Sequence, residues 1–239
     1  MQTPPSVEST FARSWELLSS NWIIIVPGLV IGFVVGVIDY FVSPHATYES
    51  YGATWWASAS SGILVALVNL AGYILAQCYV TGMAGGAWER GRASLADGTL
   101  AFEHDAGNVL VAMIGLFVAL IVAGVLAFVT LGISMILYFY FFIYTFPAAI
   151  VGNRPGFAAM GDSFRIAARR VAPTLILTIV NAFILIAGWG IGLALNFIPF
   201  LGPIIGALVI QAVLAYVTLV VVGEYLALRE VPVGPPPPV

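Results

Sequence analysis

The chain has 239 residues, of which 61% are hydrophobic and only 8% charged, with a formal net charge of −3. A mean hydropathy of +1.05 excludes an ordinary water-soluble domain and indicates a polytopic membrane protein. Nothing in this charge balance forms the concentrated basic face that nucleic acid requires, so that class of partner is dropped.

The N-terminal stretch has no basic region leading into an apolar core and a small-residue cleavage site, so it does not read as a signal peptide. Instead Val7, Phe11, Trp15 and Leu18 recur at helical spacing, while Glu8, Arg13 and Glu16 fall elsewhere on the wheel. This predicts a short amphipathic helix at the membrane interface, with Trp15 and Trp22 at headgroup depth. The first span follows at about 22–42, roughly the 20 residues that cross ~30 Å of hydrocarbon. Residues 43–58 carry Pro, Gly, His45 and Glu49 but no Arg, and Tyr48, Tyr51, Trp55 and Trp56 suit an outer aromatic belt. The second span is predicted at about 62–83.

The polar stretch 89–108 opens with a possible cap at Ser94 and Asp97 and meets Gly98, so it reads as a loop with one or two short interfacial helices. The uncharged run from Val109 to Val151 is too long for one crossing and right for two, with a turn at Thr130 to Ser134. The third and fourth spans are therefore about 108–128 and 133–151, with a kink expected at Pro147. Beyond the basic segment 152–170 lie a fifth span at about 173–195, a double-proline break at 196–203, and a sixth span at about 204–224. The tail 231–239 is too proline-rich for a helix and has nothing to bury.

With six spans all eight arginines fall on one side: Arg13, Arg90, Arg92, Arg154, Arg165, Arg169, Arg170 and Arg229. Basic residues are held on the cytoplasmic side during insertion, so the expectation is N-in and C-in. The fold class is thus all-α: one membrane domain, 1–230, of six transmembrane helices as three hairpins with interfacial amphipathic helices. A threefold repeat is hinted at by an aromatic residue six positions before a polar one that opens a span. The pairs are Trp15 to Asn21, Phe102 to Asn108 and Phe164 to Arg170.

Gly28, Gly32 and Gly36 make two overlapping GxxxG steps on one helix face, a packing position for an internal helix or a second subunit. Asp39 and Glu224 are the acids placed within apolar runs; Asp39 lies about 25 Å along the helix from Trp22 and Glu224 near the inner interface, within reach of Arg229 or the loop arginines. Asn69, Gln77, Asn181 and Gln211 either hydrogen-bond helix to helix or line a polar path. Tyr138 to Phe146 covers every face of its helix with aromatics, which fits bulky packing and lipid contact, with a bound quinone, pigment or lipid as the alternative. Glu103, His104 and Asp105 are consecutive and point in different directions, so they read as a solvated face and not as a metal site. The single cysteine, Cys78, supports neither a disulfide framework nor a thiolate site. No HExxH, GxSxG, Walker A, GxGxxG or paired-carboxylate motif occurs, so no catalytic residue, metal or cofactor is assigned and the chain reads as non-enzymatic.

In the basic segment, Phe157, Met160, Phe164, Ala168 and Val171 make an apolar face, with Arg165 and Arg169 on another and Asp162 placed to pair with Arg165. Arg154, Arg165, Arg169 and Arg170, with Trp15 and Trp22, are the expected contacts to lipid or a partner; anionic headgroups are worth about 1 kcal/mol per arginine. Three stretches carry a family likeness: F-x-x-S-W before NWIIIVPGL, the segment FPAAIVGNRPGFAAMGDSFRIAARR, and IPFLGPIIGAL. Together they resemble uncharacterised bacterial six-helix membrane proteins similar to the membrane domain fused to some glycerophosphodiester phosphodiesterases. The likeness implies a fold and a place in the bacterial inner membrane, and no catalytic residue. The expected role is a structural, assembly or lipid-organising subunit of a membrane complex, whose partners are membrane lipids and other membrane subunits. The alternative is a permease or lipid-handling transporter with its path between hairpins.

Overall fold

The computed structural model describes residues 6–42, 54–195, 197–198 and 201–229. The elements are α1 (Val7–Ser20), a 3-10 turn (Trp22–Ile24), α2 (Ile25–Val42), α3 (Thr54–Arg90) and α4 (Leu95–Thr130). There follow α5 (Ile133–Phe142), α6 (Thr145–Ile150), α7 (Gly156–Arg169), α8 (Val171–Leu195) and α9 (Leu201–Arg229). Among the described residues every regular element is helical, as the composition indicates. Five segments are long and apolar enough to cross a membrane: Leu64–Arg90, Leu95–Thr130, Ile133–Ile150, Val171–Leu195 and Ile204–Arg229. The α1–α2 pair, bent by 88°, makes up to six.

Only 17–39% of each apolar window is buried inside the protein. Phe33, Phe41, Phe117, Phe128 and Phe183 all stand open on the outside. Water would penalise such a surface at about 25 cal/mol per Å², whereas lipid does not. The interior is built from smaller side chains. One cluster joins Cys78, Val109, Ala148, Leu177 and Val220 around the buried ring of Tyr144; another joins Leu17, Ile24, Met83, Leu219 and Val222. Glycines set the close approaches. A Cβ at Gly98 would overlap the Tyr79 ring, and one at Gly223 would overlap the Trp88 indole, whose Nε1 donates to Leu219 O at 2.8 Å.

Two expectations are corrected. The stretch 95–107 is no loop: α4 runs unbroken through Gly98, because the Ser94–Asp97 capping box starts it and the missing side chain at Gly98 lets α3 lie against it. α3 likewise extends past the expected 62–83 at both ends. The protein-facing sides of α1 and α7 carry small residues. α1 buries Thr10, Ser14, Leu17 and Leu18, and α7 buries Gly156, Ala159, Ser163 and Ala167. Small residues allow helices to approach, while Trp15, Phe157 and Phe164 stay exposed on the outside.

The proline in the fourth expected span acts as foreseen, one turn earlier in the chain. Pro147 has no N–H for the carbonyl of Ile143, and the helix breaks at residues 143–144 between α5 and α6. Ser163 of α7 fills the break: its Oγ accepts from Tyr144 N at 3.0 Å and donates to Phe141 O at 2.8 Å. α4 and α5 join through Leu131 and Gly132, whose φ of 86° lies in the left-handed region glycine adopts freely. This lies within the expected turn at 130–134.

At two of the three places of the suggested repeat a separate short helix stands. α1 and α7 each have 14 residues and end on Asn21 (φ −130°, ψ 50°) and Arg170 (φ −120°, ψ 59°). At the middle place α4 continues unbroken through Asn108. Trp15, Phe102 and Phe164 are exposed in all three. The tail 231–239, with His45, Glu49, Tyr48 and Tyr51, lies outside the described residues.

Candidate functional site

The last turns of α9 carry Glu224 into the interior, where it is 1% exposed. α1 comes to lie over it because the corner at Asn21 is tied down. Asn21 Oδ1 accepts from Ala93 N at 2.8 Å, and its Nδ2 donates to Leu17 O at 3.0 Å and Gly91 O at 3.3 Å. From α9, Tyr216 donates its hydroxyl to Phe11 O at 3.1 Å and meets the Trp15 ring edge-on. Thr10 then faces the carboxylate and donates from Oγ1 to Glu224 Oε2 at 2.9 Å.

Glu224 borders a cavity of about 540 Å³ between α1, the α7–α8 junction and α9. Its other charged walls are Arg169 and Arg170, and the start of α1 at Ser6 and Val7 closes one side. Among the described residues neither arginine forms an ion pair. Arg229 lies over the Tyr225 ring, 5.7 Å from its centroid, so the expected pairing with Glu224 gives way to this stacking. Opposite charges therefore line one cavity without meeting. Burying a carboxylate costs several kcal/mol, while one hydrogen bond to a charged group returns about 1.5–3 kcal/mol. The arrangement has unspent capacity for a cation near Glu224 and an anion near the arginines.

The four arginines of the basic segment divide evenly. Arg154 Nε and Arg165 Nη1 both reach Asp162, at 2.8 and 3.2 Å, and the second is the pair expected from spacing. Arg169 and Arg170 border the cavity. Trp15 and Trp22 are 63% and 68% exposed. Gly28 packs against the Gln211 side chain of α9, so that its contact is internal; Gly32 lies near the same amide, and Gly36 has open space around it.

The structure does not gather the four amides. Asn69 is exposed on α3 and donates to Val65 O at 2.9 Å, Gln77 bonds Tyr73, Gln211 sits against α2, and Asn181 is buried in α8. Asp39 falls on α2 with its side chain outside the described ones. Glu103 and His104 are exposed, but Asp105 is 6% exposed and accepts from Asn108 Nδ2 at 3.4 Å, so the solvated-face reading fails for it. α4 presses that side of the helix onto α3, which the loop assignment could not anticipate. Among the described residues no group of three ligating side chains could hold a metal.

Sequence reasoning missed Thr10 and Ser163. Each is a hydroxyl on a stripe of small residues, four positions from another small residue, and that stripe was the available signal. No family model, curated protein or solved structure matches the chain.

Proposed function

We propose that this chain is a multi-pass membrane protein that binds an amine-bearing phospholipid and organises lipid as a structural or assembly subunit. The observation that carries the reading is Glu224: a carboxylate 1% exposed, with Thr10 as its hydrogen-bond donor, on a cavity whose opposite wall holds Arg169 and Arg170. A phosphate matches two arginines, and a primary ammonium brings N–H donors to the carboxylate. The ethanolamine headgroup has both on one short link.

The membrane arrangement that goes with this has six crossings as three hairpins, both termini on the cytoplasmic side. In support, the Arg-bearing ends are joined to one another by the Asn21–Ala93 and Thr10–Glu224 bonds. On that arrangement the cavity lies at headgroup level on the cytoplasmic face. The resemblance to bacterial six-helix membrane proteins favours the inner membrane as its setting.

The test is lipid retention by native mass spectrometry, with phosphatidylethanolamine, phosphatidylcholine and phosphatidylglycerol of identical chains offered in equal amounts. Phosphatidylethanolamine is expected to be retained about tenfold over the others, a difference of ~1.4 kcal/mol. Glu224→Gln removes that preference. Equal retention of the three lipids, or an unchanged preference in the Gln variant, refutes the reading.

A further inference from the structure

Near the middle of α8, Asn181 is 3% exposed, and neither its Nδ2 nor its Oδ1 has a hydrogen-bond partner. It lies about 15 Å along the helix from Val171, the depth of the hydrocarbon in a spanning helix. An unpaired donor and acceptor are costly there, and the structure offers a reason for keeping them. Asn181 borders a cavity of about 620 Å³ between α3, α4, α5, α6, α8 and α9. That volume is within the ~300–1,000 Å³ of small-molecule sites. The walls are aromatic: Tyr73, Phe117, Tyr138, Phe139, Phe142 and Phe146.

The other polar side chains on the walls are already engaged. Tyr138 donates to Leu116 O at 3.1 Å, Thr178 donates to Thr174 O at 2.8 Å, and Tyr73 pairs with Gln77. Among the described residues no charged side chain lines the cavity. Asn181 is therefore the polar group left to recognise a ligand, in a space that disfavours ionic heads and holds water poorly.

We propose that this cavity binds a neutral lipid carrying a hydroxyl head, with the hydroxyl on Asn181 and the chain along the aromatic walls. A hydroxyl donates to Oδ1 and accepts from Nδ2, satisfying both orphaned atoms. A ketone or ester accepts only and leaves Oδ1 unmet. The site is separate from the headgroup cavity and stands whether or not that cavity takes phospholipid.

The experiment titrates the purified full chain with a diazirine-bearing farnesol analogue and with the same probe lacking its hydroxyl, followed by photocrosslinking and peptide mass spectrometry. The alcohol is expected to label α4, α5 and α8 and to bind about tenfold more tightly than the hydrocarbon. Asn181→Leu, close in size, brings the alcohol down to the hydrocarbon and leaves hydrocarbon binding intact, which also reports that the variant is folded. Ala182→Phe, on the exposed side of the same helix, fills the cavity and removes both. Equal binding of the two probes to the unaltered protein, a preference that survives in Asn181→Leu, or labelling confined to other helices overturns the proposal.

Discussion

Replacing Ser163 by alanine strikes the break between α5 and α6. The serine Oγ accepts from Tyr144 N at 3.0 Å and donates to Phe141 O at 2.8 Å, so the substitution orphans two main-chain groups at a position buried in protein. Each buried orphan costs about 1–3 kcal/mol. Side-chain bonds between membrane helices average nearer ~0.6 kcal/mol, because an unfolded chain in lipid finds other partners. Main-chain groups at a helix break have fewer such partners, so the expected loss is roughly 2–4 kcal/mol. The assay is reversible unfolding in mixed detergent micelles, following tryptophan fluorescence. A second change sharpens it. Pro147→Ala restores an N–H for Ile143 O and lets α5 and α6 close into one helix, which would pair Tyr144 N and Phe141 O within the helix. In the Ser163→Ala background Pro147→Ala therefore recovers at least about 1 kcal/mol, while alone it gains nothing because Ser163 already serves both groups. If Ser163→Ala lies within about 0.5 kcal/mol of the parent, or the two changes are additive, the account of the break is wrong.

Two further outcomes follow from close approaches. Gly28→Ala pushes a methyl into the Gln211 amide and should cost about 1–3 kcal/mol in the same assay, whereas Gly36→Ala, with open space around it, should be neutral or slightly stabilising. A reversed order would remove the assignment of α9 as the partner of this glycine face. Thr10→Val keeps the shape but withdraws the donor from Glu224, with an expected loss of about 1.5–3 kcal/mol by thermal shift in detergent. No change in melting temperature would show that the carboxylate does not depend on that bond.

How much was legible depended on what lipid demands. A segment that crosses must be long, apolar and internally hydrogen-bonded, so the helical class and the turn near Gly132 could be read from periodicity and length. Faces were read less well. Spacing placed Phe157 and Phe164 on an apolar face without saying which side of the helix meets the protein; among membrane helices the inward side is the one that permits approach, which selected Ala159 and Ser163. Gly98 was taken as a breaker because its role as a platform for the Tyr79 ring exists only once α3 is present. Glu224 stood out as an acid in an apolar run, but its donor, Thr10, is 214 positions away and no local pattern connects the two. Asn181 could be named as polar and deep; that its amide is unpaired is a property of the six helices packed there.

The bond between Thr10 and Glu224 also sets an order of events. During synthesis at roughly 5–20 residues per second, on the order of 10–40 s separate the appearance of these two residues. Throughout that interval α1 has made its helix but has no carboxylate to meet and no Tyr216 to hold Phe11. α1 is thus made long before α9 and docks only when α9 is present. Until α9 arrives, the inward stripe of Thr10, Ser14, Leu17 and Leu18 faces whatever chaperone, insertase or lipid is at hand.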